Sequence, residues 1–259
     1  MIAVVTGGSR GIGFAVAGQL VRRDCQVVLV ARDRARGEQA VSRLGSASLV
    51  VADLSTRAGI DSAAGALLEL CPKIDVLVHN AGIWPMKLVR TPDGFEQAFA
   101  VNHLAPFLLN LRLEQRLRAS GCRVVQVSAG LYGKGRFDPE RTPTGADFHR
   151  IRTYCSTKLA NLLTVPLFAE RWKNTGVTID AVHPGVIKTD LGDPGGALGA
   201  VMKFVKRSWA PPSSGATPVV RLAFASGSGR YFDMNALAAG PDDPVLASRV
   251  WEQALGYVT

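Results

Sequence analysis

At 259 residues, with 47% hydrophobic and 20% charged side chains, the chain has the mixture of a globular protein, which excludes intrinsic disorder, collagen, coiled coil and low-complexity scaffolds. That length suits one α/β domain of ~200–250 residues, and such a chain buries ~70–75% of its unfolded surface without disulfide or metal staples. The net charge of +9 favours a polyanionic partner, but the 30 basic residues are dispersed, with no run of five and none of the aromatic–basic interleaving of single-strand binders, so small phosphates are expected and nucleic acid is not.

Short, β-branched apolar runs at 2–6, 26–30, 48–52, 75–79, 123–127 and 178–182 predict buried strands. Helices are expected between them at 13–23, 34–44, 57–70, 95–120 (interrupted at Pro106) and 154–173. Strands alternating with helices predict a parallel sheet covered on both faces. Residues 130–150 mix glycine, proline and charge and read as a loop. Residues 186–214 follow the sixth strand and end near Pro211-Pro212. They form a substrate lid in this reading, because loops beyond the carboxyl ends of parallel strands are where such sheets bind ligands. Nothing divides the chain, so 1–259 is expected to be one domain. The four cysteines, Cys25, Cys71, Cys122 and Cys155, have no CxxC spacing. Reduced thiols, no metal site and a cytoplasmic location are expected. The apolar start runs straight into a glycine turn without a charged leader, and no ~18-residue apolar run occurs, so neither signal peptide nor membrane anchor is expected.

The first turn reads Thr6-Gly7-Gly8-Ser9-Arg10-Gly11-Ile12-Gly13, after a strand and before a helix. That context suits a tight turn that brings backbone and a helix N-terminus up to a pyrophosphate. The second strand runs out at Ala31-Arg32-Asp33. A carboxylate near here serves the ribose hydroxyl of NAD, and an arginine the 2′-phosphate of NADP. Arg32, with Arg10 as second candidate, predicts NADP, and Asp33 is expected to point away or cap the next helix. Asp53-Leu54 and Asn80-Ala81-Gly82 close the third and fourth strands, where adenine and ribose would pass. Tyr154 and Lys158 lie four apart on one helix face. An ammonium beside a phenol favours phenolate, so the Tyr154 pKa is expected to fall from ~10 toward working pH, which would suit acid/base chemistry on a carbonyl or alcohol. Ser128, at the end of the fifth strand, could bond the same substrate oxygen.

This ordered set, with His183-Pro184-Gly185, resembles the short-chain dehydrogenase/reductase family over essentially the whole chain. The resemblance implies a single Rossmann-type doubly wound parallel sheet of about seven strands with helices on both faces, and a catalytic tetrad of Asn102, Ser128, Tyr154 and Lys158. It makes Gly7, Ser9, Arg10, Gly11, Ile12, Gly13, Arg32, Asp53, Leu54, Asn80, Ala81, Gly82, Tyr154, Lys158, Pro184, Gly185, Val186 and Thr189 cofactor contacts. Asn102 would hold a water relaying protons to Lys158, Lys158 would bind the nicotinamide ribose, and Thr189 its carboxamide. Finer detail is similar to the retinol dehydrogenase and protochlorophyllide reductase-like branch: Ala31-Arg32-Asp33, the stretch from Val101-Asn102-His103 to Pro106-Phe107, Lys158-Leu159-Ala160-Asn161, the stretch from His183 to Leu191, and Gly229-Arg230-Tyr231-Phe232. Many members of that branch use NADP. His79 stands where the family often has Asn, and Pro166 should kink the helix that carries Tyr154. Trp84, Tyr132, Phe137 and Phe204 suggest an apolar substrate, and Leu198, Val201, Met202, Val205 and Trp209 recur at helical spacing with Lys203, Lys206 and Arg207 elsewhere.

The expected function is NADP(H)-dependent reduction of a ketone or aldehyde, or oxidation of the alcohol. Alternatives are epimerase, dehydratase or cyclase chemistry on the same fold, and a sensor that holds NADP without turnover. A monomer or dimer is expected over a tight tetramer, because the polar 134–150 stretch could cover helices that family members use for assembly.

Overall fold

The structure, a computed structural model, describes residues 1–187 and 210–258. Its elements are β1 (Ile2–Thr6), α1 (Gly11–Val21), β2 (Gln26–Ala31), α2 (Arg34–Leu44), β3 (Ala47–Val51), α3 (Arg57–Leu70) and β4 (Val76–His79). Then come α4 (Gln97–Phe99), a π-turn (Ala100–Leu104), α5 (Ala105–Arg112), α6 (Glu114–Ser120), β5 (Arg123–Val127), a 3₁₀ turn (Gly130–Lys134), α7 (Arg152–Arg171) and β6 (Thr178–His183). The last are α8 (Pro212–Ala223), β7 (Tyr231–Asp233), β8 (Ala236–Ala238) and α9 (Pro244–Leu255).

The strands form one sheet in the order β3-β2-β1-β4-β5-β6-β7-β8. All neighbours are parallel except β7 and β8. Alternate side chains of each strand feed two cores, as the period of two requires. Ile2, Val4, Val28 and Val30 join the layer of α3, α5, α7 and α9, while Ala3, Val5, Val27 and Leu29 join that of α1, α2 and α8. Burial on both faces is why these strands read as continuous apolar runs.

Eight strands stand where about seven were expected. After β7 the chain turns back at Met234, whose φ of 53° is left-handed and whose N–H donates to His183 O at 2.8 Å. β8 then pairs antiparallel through Phe232 and Leu237. The expected helix at 95–120 is divided, with the π-turn just before Pro106 and a second break at Leu113. α7 runs through Pro166 as one helix of 20 residues. The lid expected at 186–214 falls mostly outside the described residues, as do Thr189, Leu198, Val201, Met202, Lys203, Phe204, Val205, Lys206, Arg207 and Trp209.

Candidate active site

Strand order reverses direction between β1 and β4, and open parallel sheets form their ligand crevice at such a point. Gly7 (φ +65°) and Gly13 shape the turn on the β1 side. A Cβ on Gly7 would lie 2.9 Å from Ala81 Cα, and one on Gly13 would press into Gly7 O and the Asn80 amide. Asn80 holds the two strand ends together: its Nδ2 donates to Thr6 O at 3.0 Å and to Gly7 O at 3.2 Å. Thr6 Oγ1 in turn accepts from the main-chain N–H groups of Asn80 (3.1 Å) and Ala81 (3.0 Å). Asn80, expected to face a ribose, thus braces the glycine turn. α1 begins straight after the glycine turn with no side-chain cap at Arg10, which leaves its first N–H groups able to hold an anion.

At the end of β2, Ala31 is buried and Arg32 exposed. Asp33 caps α2 as expected: its carboxylate accepts from the Arg36 N–H at 3.1 Å and pairs with the Arg36 guanidinium at 3.4 Å. Asp53 Oδ1 accepts from the Ser55 N–H at 3.0 Å, which shapes the turn into α3, and Leu54 is buried.

Asn102, Ser128, Tyr154 and Lys158 are all buried and converge on the carboxyl ends of β4 and β5. Lys158 Nζ donates to Val127 O at 3.1 Å. The next residue, Ser128, has a buried hydroxyl without a hydrogen-bond partner, and the one after, Ala129, packs with Tyr154 and Cys155. Asn102 Oδ1 accepts from the Ile83 N–H at 2.8 Å. Its Nδ2 donates to Ile83 O (2.9 Å) and Thr157 Oγ1 (3.1 Å).

The expected fall of the Tyr154 pKa is not what this environment produces. Burial pushes the phenol up and pulls the Lys158 ammonium down to about 8. Lys158 Nζ sits 5.9 Å from the Tyr154 ring centre and spends its hydrogen bond on a backbone carbonyl, so desolvation outweighs their attraction.

Trp84 stacks on the Tyr154 ring, with centroids 4.5 Å apart and planes 7° from parallel. Its indole N–H donates to Arg150 O. Pro184 is buried, Gly185 takes a left-handed φ of 92° and Val186 is exposed, so the turn after β6 opens beside β7. His183 is half-buried, its Nδ1 is without a partner, and burial lowers its pKa. His79 points into the core, its Nε2 2.8 Å from Asn110 Oδ1, and belongs to no crevice wall. Residue-by-residue reading gave no role to Thr6, Thr157, His103 or Asn161, although each is buried and hydrogen-bonded beside the site. The available signal was Pro106, four residues past Asn102.

A doubly wound sheet with a glycine turn at its switch point and a buried Ser, Tyr and Lys beyond β5 defines a dinucleotide-dependent oxidoreductase. A sequence profile described as short chain dehydrogenase matches residues 1–196, and the chain belongs to that family, in its retinol dehydrogenase-like branch. It is 34% identical to mouse (Mus musculus) retinol dehydrogenase 14 over 96% of this chain and 83% of that one. It is 35% identical to cattle (Bos taurus) dehydrogenase/reductase SDR family member 13 over 96% and 71%. A Pseudomonas aeruginosa structure, an RhlG/NADP active-site complex, shares the fold at a TM-score of 0.73 and 24% identity, over 90% of this chain and 94% of that one. The protein is thus a dehydrogenase/reductase acting on alcohol or carbonyl groups.

Proposed function

We propose that the protein uses NADP(H) to reduce a ketone or aldehyde of a mostly apolar small molecule, or to oxidise the corresponding alcohol, with Tyr154 as acid and base. The observation that carries this reading is the continuous run from Val127 to Ala129. Lys158 bonds the first residue, the Ser128 hydroxyl is buried without a partner, and the third packs on Tyr154. Three side chains able to serve one oxygen therefore gather at a single strand end.

The residues present fit a dinucleotide. The uncapped α1 N-terminus suits the pyrophosphate, and Gly7, Gly11 and Gly13, with Ser9 and Ile12, line a turn that larger residues would block. Arg32 and Arg10 suit a 2′-phosphate, since Asp33 is turned to its own helix and the small Ala31 leaves room. In this reading Asp53, Leu54, Ala81 and Gly82 would meet the adenine and ribose, with Asn80 bracing the turn beside them. Pro184, Gly185 and Val186 would meet the nicotinamide; Thr189, assigned to its carboxamide, lies outside the described residues. A protein of similar fold was solved with NADP.

When bound, the dinucleotide supplies or accepts the hydride. In the reducing direction Tyr154 gives its proton to the carbonyl oxygen. Ser128 donates a hydrogen bond to the same oxygen as charge builds there, a preorganised contact that strengthens in the transition state. Lys158 holds the ribose and, as an ammonium, favours the phenolate that proton transfer leaves. Asn102, besides its bonds to Ile83, Thr157 and Asn161, would hold a water that passes protons to Lys158. Incubating the protein with NADPH and a panel of apolar aldehydes and ketones tests this. Loss of cofactor absorbance with a matching alcohol in the product mass spectrum is expected. No absorbance change with any carbonyl, or a product formed without cofactor oxidation, would overturn it.

A further inference from the structure

In an α-helix the carbonyl of one residue accepts the N–H four residues on. Four residues past Asn102 stands Pro106, which has no N–H and whose ring crowds that carbonyl. The backbone widens into the π-turn Ala100–Leu104 around it, a feature often found at functional sites. Asn102 is wholly buried, so its carbonyl needs a donor from elsewhere. Asn161 supplies it: Nδ2 donates to Asn102 O at 2.7 Å.

The Asn161 amide is itself oriented. Its Oδ1 lies 2.9 Å from His103 Nδ1, and an amide oxygen can only accept, so the His103 proton sits on Nδ1. Burial keeps the imidazole neutral, with its pKa down at about 4. One turn before Asn161 on α7, Thr157 accepts from Asn102 Nδ2 at 3.1 Å and donates to Tyr154 O at 2.7 Å. Thr157 and Asn161 share a helix face and grip the π-turn at two levels, with Lys158 between them in sequence. Asn102 also holds Ile83, next to Gly82, where a Cβ would lie 3.6 Å from both Asn102 Oδ1 and Lys158 Nζ.

We propose that Asn161, oriented by His103, is a positioning residue for the reaction. It stands in for the main-chain donor that Pro106 cannot provide, and so keeps Asn102 and the loop at Ile83 in register with Tyr154 and Lys158. This rests on the reading of Tyr154 and Lys158 as catalytic.

The test is Asn161→Leu, alone and combined with Pro106→Ala, which returns an N–H at position 106. With Asn161→Leu, kcat is expected to fall about 10–100-fold, the scale of a small misplacement at a reacting centre, with KM and cofactor affinity near wild type. Hydrogen exchange should quicken at the amides of residues 100–105 and 107. Adding Pro106→Ala should restore much of the rate and of the protection. A wild-type kcat with unchanged exchange in Asn161→Leu, or no recovery of either on adding Pro106→Ala, would overturn the proposal. If Asn161→Leu does not fold, the smaller Asn161→Ala, which also offers no donor to Asn102 O, must show the same losses. Hydrogen exchange is read without substrate. A wild-type protein inactive on every carbonyl therefore defeats the functional reading, while the exchange result still decides the role of Asn161.

Discussion

Lys158 rests its ammonium on a backbone carbonyl, and among the described residues no carboxylate offsets its burial, which pulls its pKa down to about 8. Tyr154 is shielded by the Trp84 indole and moves the other way, so the free protein holds its phenol protonated. Tyr154→Phe is expected to cut turnover by ~10²–10⁴-fold with cofactor binding retained. Lys158→Ala should lose both rate and affinity. Trp84→Ala returns water to one face of the phenol and should lower its pKa, read as an earlier phenolate absorbance step on alkaline titration that Tyr154→Phe removes. An unmoved step would remove Trp84 as the cause of the shielding. If Arg32 meets a 2′-phosphate, NADPH binds at least ~10-fold tighter than NADH, about 1.4 kcal/mol. Arg32→Ala should erode that preference and leave NADH binding nearly unchanged, as titration would show. His79 and His103 are buried and neutral, with pKa values of about 4. Between there and ~6.5 the unfolded chain takes up protons that the folded chain does not, so stability falls as pH falls, by about 1.4 kcal/mol per unit for each histidine. Melting temperatures measured from about pH 7 to 4.5 should decline accordingly.

The turn between β1 and α1 tolerates no side chain at Gly13, where a Cβ meets main chain of the same turn. Gly13→Ala should therefore weaken both cofactor binding and thermal stability, and an unchanged titration curve would contradict the cradle assigned to this turn. At the other end of the sheet, Asp180 on β6 is fully buried between two arginines. It accepts from Arg123 of β5 at 2.6 Å and from Arg230, just before β7, at 2.7 Å. Arg123 also donates to Leu222 O at 2.8 Å and Gly227 O at 2.6 Å, which ties the end of α8 to the sheet. Removing one partner of a buried pair strands the other, so Asp180→Ala should cost ~3–5 kcal/mol in urea denaturation.

Residues 130–150 pack along part of one helical layer. The segment is laid against α4 and α7: Phe137 packs on Phe99 and His103, the Glu96 N–H donates to Pro143 O at 2.7 Å, and Arg136 exchanges two hydrogen bonds with Ser156 Oγ at 2.9 Å. We propose that this cover leaves the protein a monomer or dimer. Light scattering across a dilution series checks it, and a tetramer that survives dilution would show both helices open to partners. Among the described residues no helix is long and apolar enough to cross a membrane.

The positions of β1 to β6, the glycine turn and the Asp33 cap were legible in the chain, because each is set by residues a few positions apart: short β-branched apolar runs, glycines between a strand and a helix, a carboxylate three residues before a free N–H. Tyr154 and Lys158 were legible from their spacing on one helix face and Ser128 from its strand end, but joining them into one site rested on their order and the family resemblance, since nothing local brings Ser128 to Lys158. What tertiary structure alone decided depends on distant neighbours. β8 exists because Met234 can turn back to His183. The ionisation of Tyr154 and Lys158 follows burial, which no spacing rule measures. Pro106 announced a break in its helix, but only the fold, by placing Asn161 opposite Asn102, determined that the carbonyl it abandons would find a new donor.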